Sequence, residues 1–303
     1  MDLTDFNSDP SQSIMLFSDT PSCKAEPCML GIDEAGRGPV LGPMVYGAAY
    51  CPVSQVDALK AKGVADSKTL TEEKRENLFE IISDSKDMMG WLLEILSPTV
   101  ISNNMLKRSK YNLNALSHDS AIALIRKALS LGVNVTEIYV DTVGPPDKYE
   151  AKLSNLFPGI KVTVAKKADS IYPIVSAASI CAKVARDNAL KAWKFAEGDN
   201  LNEMEYGSGY PNDPVTKKFL TQSIDPVFGF PQIVRFSWST AGKILENSAV
   251  QVEWEETEDD DDQQETTKSQ NIFKFMKSDT KKPVKPKSHN FFTQRNIHQT
   301  VEL

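Results

Sequence analysis

From Met29 to about Val250 apolar residues recur almost without a break, in two periods that alternate along the chain. That alternation constrains the fold more than any other feature. Met29-Leu-Gly-Ile32, Met44 to Tyr50, Trp91 to Leu96, Glu137 to Val140 and Lys161 to Ala165 read as strands. The first two are joined by a turn rich in Gly and Pro, which predicts an opening hairpin. The segments between them follow helical spacing. Thr71 to Ile82 opens with Thr-Glu-Glu-Lys and carries Leu78, Ile81 and Ile82 on one face, as a capped helix does. Leu113 to Leu131 places Leu116, Ala123, Leu124, Ala128 and Leu131 at helical spacing and stops at Gly132. Pro173 to Phe195 shows two faces: Ile174, Ala178, Cys181, Ala185 and Ala189 on one, and a polar stripe of Ser176, Ser179, Lys183 and Arg186 beside it. A compact aromatic stretch runs to Trp238, and a last helix starts at Thr240. Strands alternating with helices behind a hairpin predict an α/β layer with a mixed sheet.

With 303 residues the chain is long for one domain and short for two, so one main domain with appendages is expected. Residues 1–27 are mostly polar and read as a flexible tail, 28–250 as the folded domain, and 251–303 as an acidic linker followed by a largely disordered basic tail. The net charge of −7 is unevenly spread. Glu253 to Glu265 holds nine acids and no base, and Lys268 to the end holds eight bases and two acids, which leaves residues 1–252 at −4. The body is therefore no broadly basic nucleic-acid binder, and any such contact has to be local. No apolar run approaches the roughly 18–20 residues that a membrane span needs. Met1 to Ser22 has no Lys or Arg ahead of an apolar stretch and is not expected to be a signal peptide. Four cysteines (Cys23, Cys28, Cys51, Cys181) make neither a disulfide framework nor a CxxC pair, which points to a reducing, intracellular compartment.

Four acids share a position type. Asp33 and Glu34 follow the first strand, Asp141 ends another, and Asp169 lies in the predicted loop before Pro173. Ends of neighbouring strands converge, and carboxylates gathered there repel one another unless a divalent cation neutralises them. Oxygen-only donors suit Mg²⁺ or Mn²⁺ rather than Zn²⁺, and two such ions about 3.5–4 Å apart serve phosphodiester hydrolysis. The other reading is that each acid merely caps a helix or ends a strand. Beside them, Gly36-Arg37-Gly38 exposes backbone amides and lets another backbone approach closely. It lacks the Lys-Ser/Thr of a P-loop and precedes a strand, not a helix, so no nucleotide-binding fingerprint is read here.

Seven short motifs occur in order: Asp33-Glu-Ala-Gly-Arg-Gly38, Ala65-Asp-Ser-Lys68, Tyr111-Asn-Leu-Asn114, Val140-Asp141, Ala168-Asp169, Ala177-Ala-Ser-Ile-Cys-Ala-Lys-Val-Ala-Arg-Asp187 and Gly207-Ser-Gly-Tyr-Pro211. Over about Cys28 to Glu246 the chain closely resembles type 2 ribonucleases H, specifically the catalytic A subunits of the eukaryotic enzymes. The resemblance implies a ribonuclease H-like mixed sheet flanked by helices, with a helical C-terminal extension. It implies hydrolysis of the RNA strand of RNA/DNA hybrids and incision 5′ to single ribonucleotides embedded in duplex DNA. It matches Asp33, Glu34, Asp141 and Asp169 to the family's metal-binding acids, holding two Mg²⁺ or Mn²⁺ ions. One ion, held by Asp33 and Asp169 among others, would deprotonate the attacking water. The second would stabilise the departing 3′ oxygen, leaving a 3′-hydroxyl and a 5′-phosphate.

The same resemblance matches Gly36, Arg37 and Gly38 to the turn that reads the 2′-hydroxyl, the group that separates ribose from deoxyribose. Tyr210 matches the tyrosine that packs on the deoxyribose following the ribonucleotide. Lys68, Asn112, Lys183 and Arg186 are candidates for phosphate contacts, which hold register and carry no base information. Two non-catalytic subunits completing a heterotrimer are likewise implied, and no membrane. A non-catalytic hybrid-binding subunit and a general nuclease of the same fold are the rivals. Lys281-Lys-Pro-Val-Lys-Pro-Lys287 reads as a nuclear import signal or as plain tail, and a nuclear location is the expectation. His118, His289 and His298 are too scattered for a zinc site.

Overall fold

A computed structural model describes residues 1–64, 70–109 and 111–251. Lys68 and every reading placed beyond residue 251, including the acidic run and Lys281 to Lys287, lie outside the described residues. Six strands form one mixed sheet among them: β1 (Ile14–Phe17), β2 (Cys28–Ala35), β3 (Met44–Pro52), β4 (Gly90–Leu96), β5 (Val135–Asp141) and β6 (Lys161–Ala165). Their spatial order is β1-β4-β3-β2-β5-β6. The opening hairpin pairs β2 with β3 antiparallel, from Cys28 opposite Pro52 to Ala35 opposite Val45. β5 then joins β2 in parallel, with Ile32 beside Val140, and β6 joins β5 in parallel with Asp141 beside Ala165.

The helices are α1 (Thr4–Ser8), α2 (Val56–Ala61), α3 (Glu72–Asp84), α4 (Pro98–Met105), α5 (Leu113–Ser130), α6 (Pro146–Leu156), α7 (Ala168–Ile171), α8 (Pro173–Lys191), α9 (Pro214–Ser223) and α10 (Ser239–Ser248). Strand period 2 divides the core into two layers. One face of the sheet packs Leu30, Ile32, Met44 and Ala48 with Ile122 and Ile125 of α5. The other packs Met29, Val45 and Leu93 with Val175, Ala178 and Ala182 of α8. The backbone of α8 lies very close to the sheet. A β-carbon on Gly31 would stand 2.5 Å from the Ile174 carbonyl, and one on Gly47 would stand 2.5 Å from that of Ala178. Only glycine admits that approach. Ile174, Val175, Ile180 and Val184 of α8 are buried there, each worth about 1.5–3 kcal/mol relative to exposure.

The first 27 residues correct the sequence reading of a flexible tail. β1 pairs with β4, Ile14 opposite Ile95 and Phe17 opposite Leu92. Phe6 of α1 is fully buried, its ring 5.9 Å from that of Trp193. Ser97 ties the segment down further: its hydroxyl donates to the Pro10 carbonyl at 2.7 Å and its amide to the Ser13 hydroxyl at 3.1 Å. A short apolar run in polar surroundings suffices here because β4 offers it a free edge to extend. Residues 1–249 form one compact unit.

Candidate active site

The adjacent acids Asp33 and Glu34 end the same strand, so they leave it on opposite faces. Asp33 points to the α8 side, where it is 5% exposed and bonded by the Ser179 hydroxyl. Its Oδ1 also accepts from the Glu34 amide at 2.8 Å. The register of β5 sets Asp141 next to Asp33 on that face. Asp141 Oδ1 accepts from the amides of Thr142 at 3.0 Å and Ala168 at 3.1 Å. The second bond draws in Asp169, which is buried and belongs to α7 rather than to the loop expected from the sequence. Lys167 enters α7 in a left-handed conformation (φ 56°), unusual for a residue with a side chain and invisible in the sequence.

Asp33 is raised to about 7, first by burial and then by Asp141 and Asp169, against the lowering bond from Ser179. Glu34 reaches about 8, first through burial and then through Asp33, with Arg37 opposing. Asp33 thus feels the charge of Asp141 and Asp169, and Glu34 that of Asp33 and Asp141. Among the described residues, however, no three His, Cys, Asp or Glu side chains stand in a ready metal-holding arrangement. Strand period 2 sets Glu34 on the opposite face from Asp33. The donor chemistry does fit a hard divalent cation: all four are carboxylates, and a cation would offset both the burial and the like charges that favour the neutral forms of Asp33 and Glu34.

The Gly36-Arg37-Gly38 turn adjoins the acids and is held from a distance. Arg235, fully buried, donates from Nη2 to the Gly36 carbonyl at 2.6 Å, from Nη1 to that of Arg37 at 3.2 Å and from Nε to that of Gly42 at 2.8 Å. Burial, and then the charge of Arg186, lowers its ionisation to about 9, which leaves it charged at neutral pH. Trp238 lies over this guanidinium, 5.0 Å from its ring centre, and its Nε1 donates to the Gly38 carbonyl at 3.2 Å. Gly36 has φ +76°, and Arg186 packs where its β-carbon would be. The Arg37 side chain reaches α5, donating to Ser117 Oγ at 2.5 Å and to Asn114 Oδ1. A hollow of about 430 Å³ opens beside it, lined by Arg37, Gly38, Met105, Leu113, Ser237 and Trp238. Arg235 and Trp238 are what sequence reasoning missed: Arg235 went unremarked, and Trp238 was read only as the end of a compact aromatic stretch.

Tyr210 is brought to the same place. It is 52% exposed, and a β-carbon on Gly38 would stand 3.2 Å from its ring. Its loop is bound to the turn, since Val40 and Leu41 donate their amides to the Gly209 carbonyl at 2.7 and 3.3 Å. Asp213 fixes the loop from below, accepting from the Ser208 amide and hydroxyl at 2.7 Å each and from the Val215 amide at 2.9 Å. Of the phosphate candidates, Lys183 is half-buried on α8. Arg186 lies under the turn, not on a solvated helix face. Asn112 is exposed and spends its carbonyl oxygen capping α5 through the Ala115 amide at 2.9 Å. His118 stacks on Tyr149 at 3.9 Å.

A family model described as ribonuclease HII matches residues 30–241. A Mus musculus protein named as the A subunit of ribonuclease H2 is 53% identical over 304 residues, covering all of both chains. Its Bos taurus namesake is 57% identical over 259 residues, 85% of this chain and 87% of that one. Among solved structures, the ribonuclease H2 from Pyrococcus horikoshii OT3 superposes with a TM-score of 0.61 at 34% identity, over 73% of this chain and 98% of its own.

Proposed function

This chain belongs to the ribonuclease HII family, and from that premise we propose that it is an endoribonuclease that cuts the RNA strand of RNA/DNA hybrids and incises 5′ to single ribonucleotides in duplex DNA. The observation that carries the reading is the juxtaposition of the acids ending β2 and β5 with a clamped glycine turn that has Tyr210 against it. Asp33, Glu34, Asp141 and Asp169 are proposed to hold Mg²⁺ or Mn²⁺. Two such ions, when bound, would supply an activated water and charge neutralisation at the departing 3′ oxygen, giving 3′-hydroxyl and 5′-phosphate ends.

The chain's own residues do the selecting and aligning. Ser179 and the Thr142 and Ala168 amides aim the carboxylates of Asp33 and Asp141. The Gly36 to Gly38 backbone tests the 2′-hydroxyl at close range, which a side chain at either glycine would block. The flat face of Tyr210 next to Gly38 takes the following deoxyribose and leaves no room for a hydroxyl. Lys183 meets a phosphate, and Arg186 supports the turn from beneath. The mouse and cattle relatives are each named as one subunit of an enzyme, which supports assembly of this chain with other subunits; two non-catalytic ones in a heterotrimer are proposed. A nuclear setting is part of the same reading. None of these contacts reads a base edge, so incision is independent of sequence.

The test uses three duplexes, with Mg²⁺ and with chelator: an RNA/DNA hybrid, DNA with one ribonucleotide, and all-DNA. Cleavage of the first two in Mg²⁺ alone is the expected result. Cleavage in chelator, or equal cutting of all-DNA, would overturn it.

A further inference from the structure

Cross-strand register sets Glu34 directly opposite Tyr46. Residues so paired share one face of the sheet, with β-carbons about 4.5–5.5 Å apart, and this face is the one that α5 covers. Tyr46 is 1% exposed, and its hydroxyl makes no hydrogen bond of full geometry among the described residues. Phenylalanine would fill the same space without a buried unsatisfied oxygen, so packing alone does not explain a tyrosine here. Two groups lie near that oxygen, the Glu34 carboxyl and the Ser117 hydroxyl on α5, each close enough to bear on its ionisation. Ser117 is fully buried, and its oxygen already accepts from Arg37 Nη1 at 2.5 Å. A hydroxyl that accepts from a guanidinium keeps its own proton to donate. Bonds from serine to tyrosine and from tyrosine to carboxylate would then run one way from the guanidinium. With a metal ion bound, the guanidinium cation would stand at one end and the Glu34 carboxylate at the other, the arrangement in which successive bonds reinforce each other.

We propose that Tyr46 and Ser117 are positioning residues that tie the Glu34 carboxylate to Arg37, so that the turn reading ribose and one acid of the metal-holding set are coupled. The inference rests on the functional reading above, which gives Glu34 and Arg37 those places. A substrate seated on the turn then also sets the orientation of Glu34, and recognition of ribose acts on turnover as well as on binding.

Full-length Tyr46→Phe, Ser117→Ala and the double variant test this against wild type. The readouts are Mn²⁺ binding by calorimetry without substrate, kcat and KM on a one-ribonucleotide duplex, and thermal melting. Tyr46→Phe should melt close to wild type yet lose about 10- to 100-fold in Mn²⁺ affinity or kcat, the usual effect of removing a group that holds a metal ligand, with KM little changed. Ser117→Ala should move the same readouts in the same direction, and the double variant should be no worse than the poorer single, because both cut one path. Should Ser117→Ala fail to fold, the Arg37→Ala and Tyr46→Phe pair gives the same cycle. Wild-type Mn²⁺ affinity and kcat in Tyr46→Phe, or losses that multiply in the double variant, overturn the coupling alone. A wild-type chain that neither binds Mn²⁺ nor cuts overturns the functional reading, and the coupling with it.

Discussion

Asp33 and Asp141 take their places from adjoining strands, through a ladder that sets Ile32 beside Val140, and Asp169 follows through a backbone amide. The glycine turn beside them takes its place from the other end of the fold, with Gly36 held by a guanidinium 199 positions later in the chain. Backbone pairing makes the acids robust, because no single side chain sets the strand register. Its weakness is that period 2 sends Glu34 away from Asp33. The turn has the converse character. It is held by directed bonds from few side chains, so it is well fixed yet vulnerable to single changes far away in sequence.

The largest effect should come from the acids, on activity and not on fold. Asp33→Asn is expected to lower cleavage by at least about 1,000-fold. In chelator its melting temperature should rise, because a buried carboxylate among like charges is gone. Cleavage within tenfold of wild type would break the comparison at its strong end. Arg235→Met should act on both fold and function. It strands the Gly36, Arg37 and Gly42 carbonyls, costing roughly 3–5 kcal/mol, or about 6–20 °C in melting temperature. The surviving folded fraction should discriminate ribose from deoxyribose less well, with a smaller loss of Mn²⁺ affinity passed on through Arg37 to Glu34. An equal loss of both would show that turn and acids share a support beyond the link from Arg37 to Glu34.

How far this was legible follows from the same contrast. The hairpin, α3, α5 and β6 were readable from local period and caps, and the structure places Thr71 at the α3 cap as its sequence predicts. The helices α4, α6 and α9 went unread, although each starts at a proline in its first turn, after Ser97, Pro145 and Asp213. Those prolines were the available signal. β1 lacked any such signal, since a four-residue strand is defined by the edge it joins. The acids and the turn were found by type and spacing. Arg235 was not, because nothing in a lone arginine near aromatic residues announces three carbonyl partners.

Smaller effects sharpen the boundary. Trp238→Phe removes one bond to Gly38 while keeping an aromatic ring over Arg235, and should cost about 1 kcal/mol in chemical denaturation, with a modest loss of ribose discrimination. The smallest effect concerns Asp213, held down at about 2 by the hydroxyl and amide of Ser208 and then the Val215 amide. A carboxylate with a lowered value in the folded state stabilises above its ordinary range and loses that contribution as it is protonated. The melting difference between wild type and Asp213→Asn should therefore be full at pH 5 and close as pH falls from about 4 towards 2. A gap that stays constant over that window would remove Asp213 as the charged anchor of the Tyr210 loop.

The central claim is that these carboxylates, close enough to repel yet not gathered into a finished cage, are completed by hard cations. Anomalous scattering from crystals of the full chain soaked in Mn²⁺ addresses it without recourse to activity. The expected result is ordered Mn²⁺ bounded by Asp33, Glu34, Asp141 and Asp169, with Glu34 turned towards the other three. Ordered Mn²⁺ only elsewhere on the molecule, with the four side chains left as they stand, would contradict it.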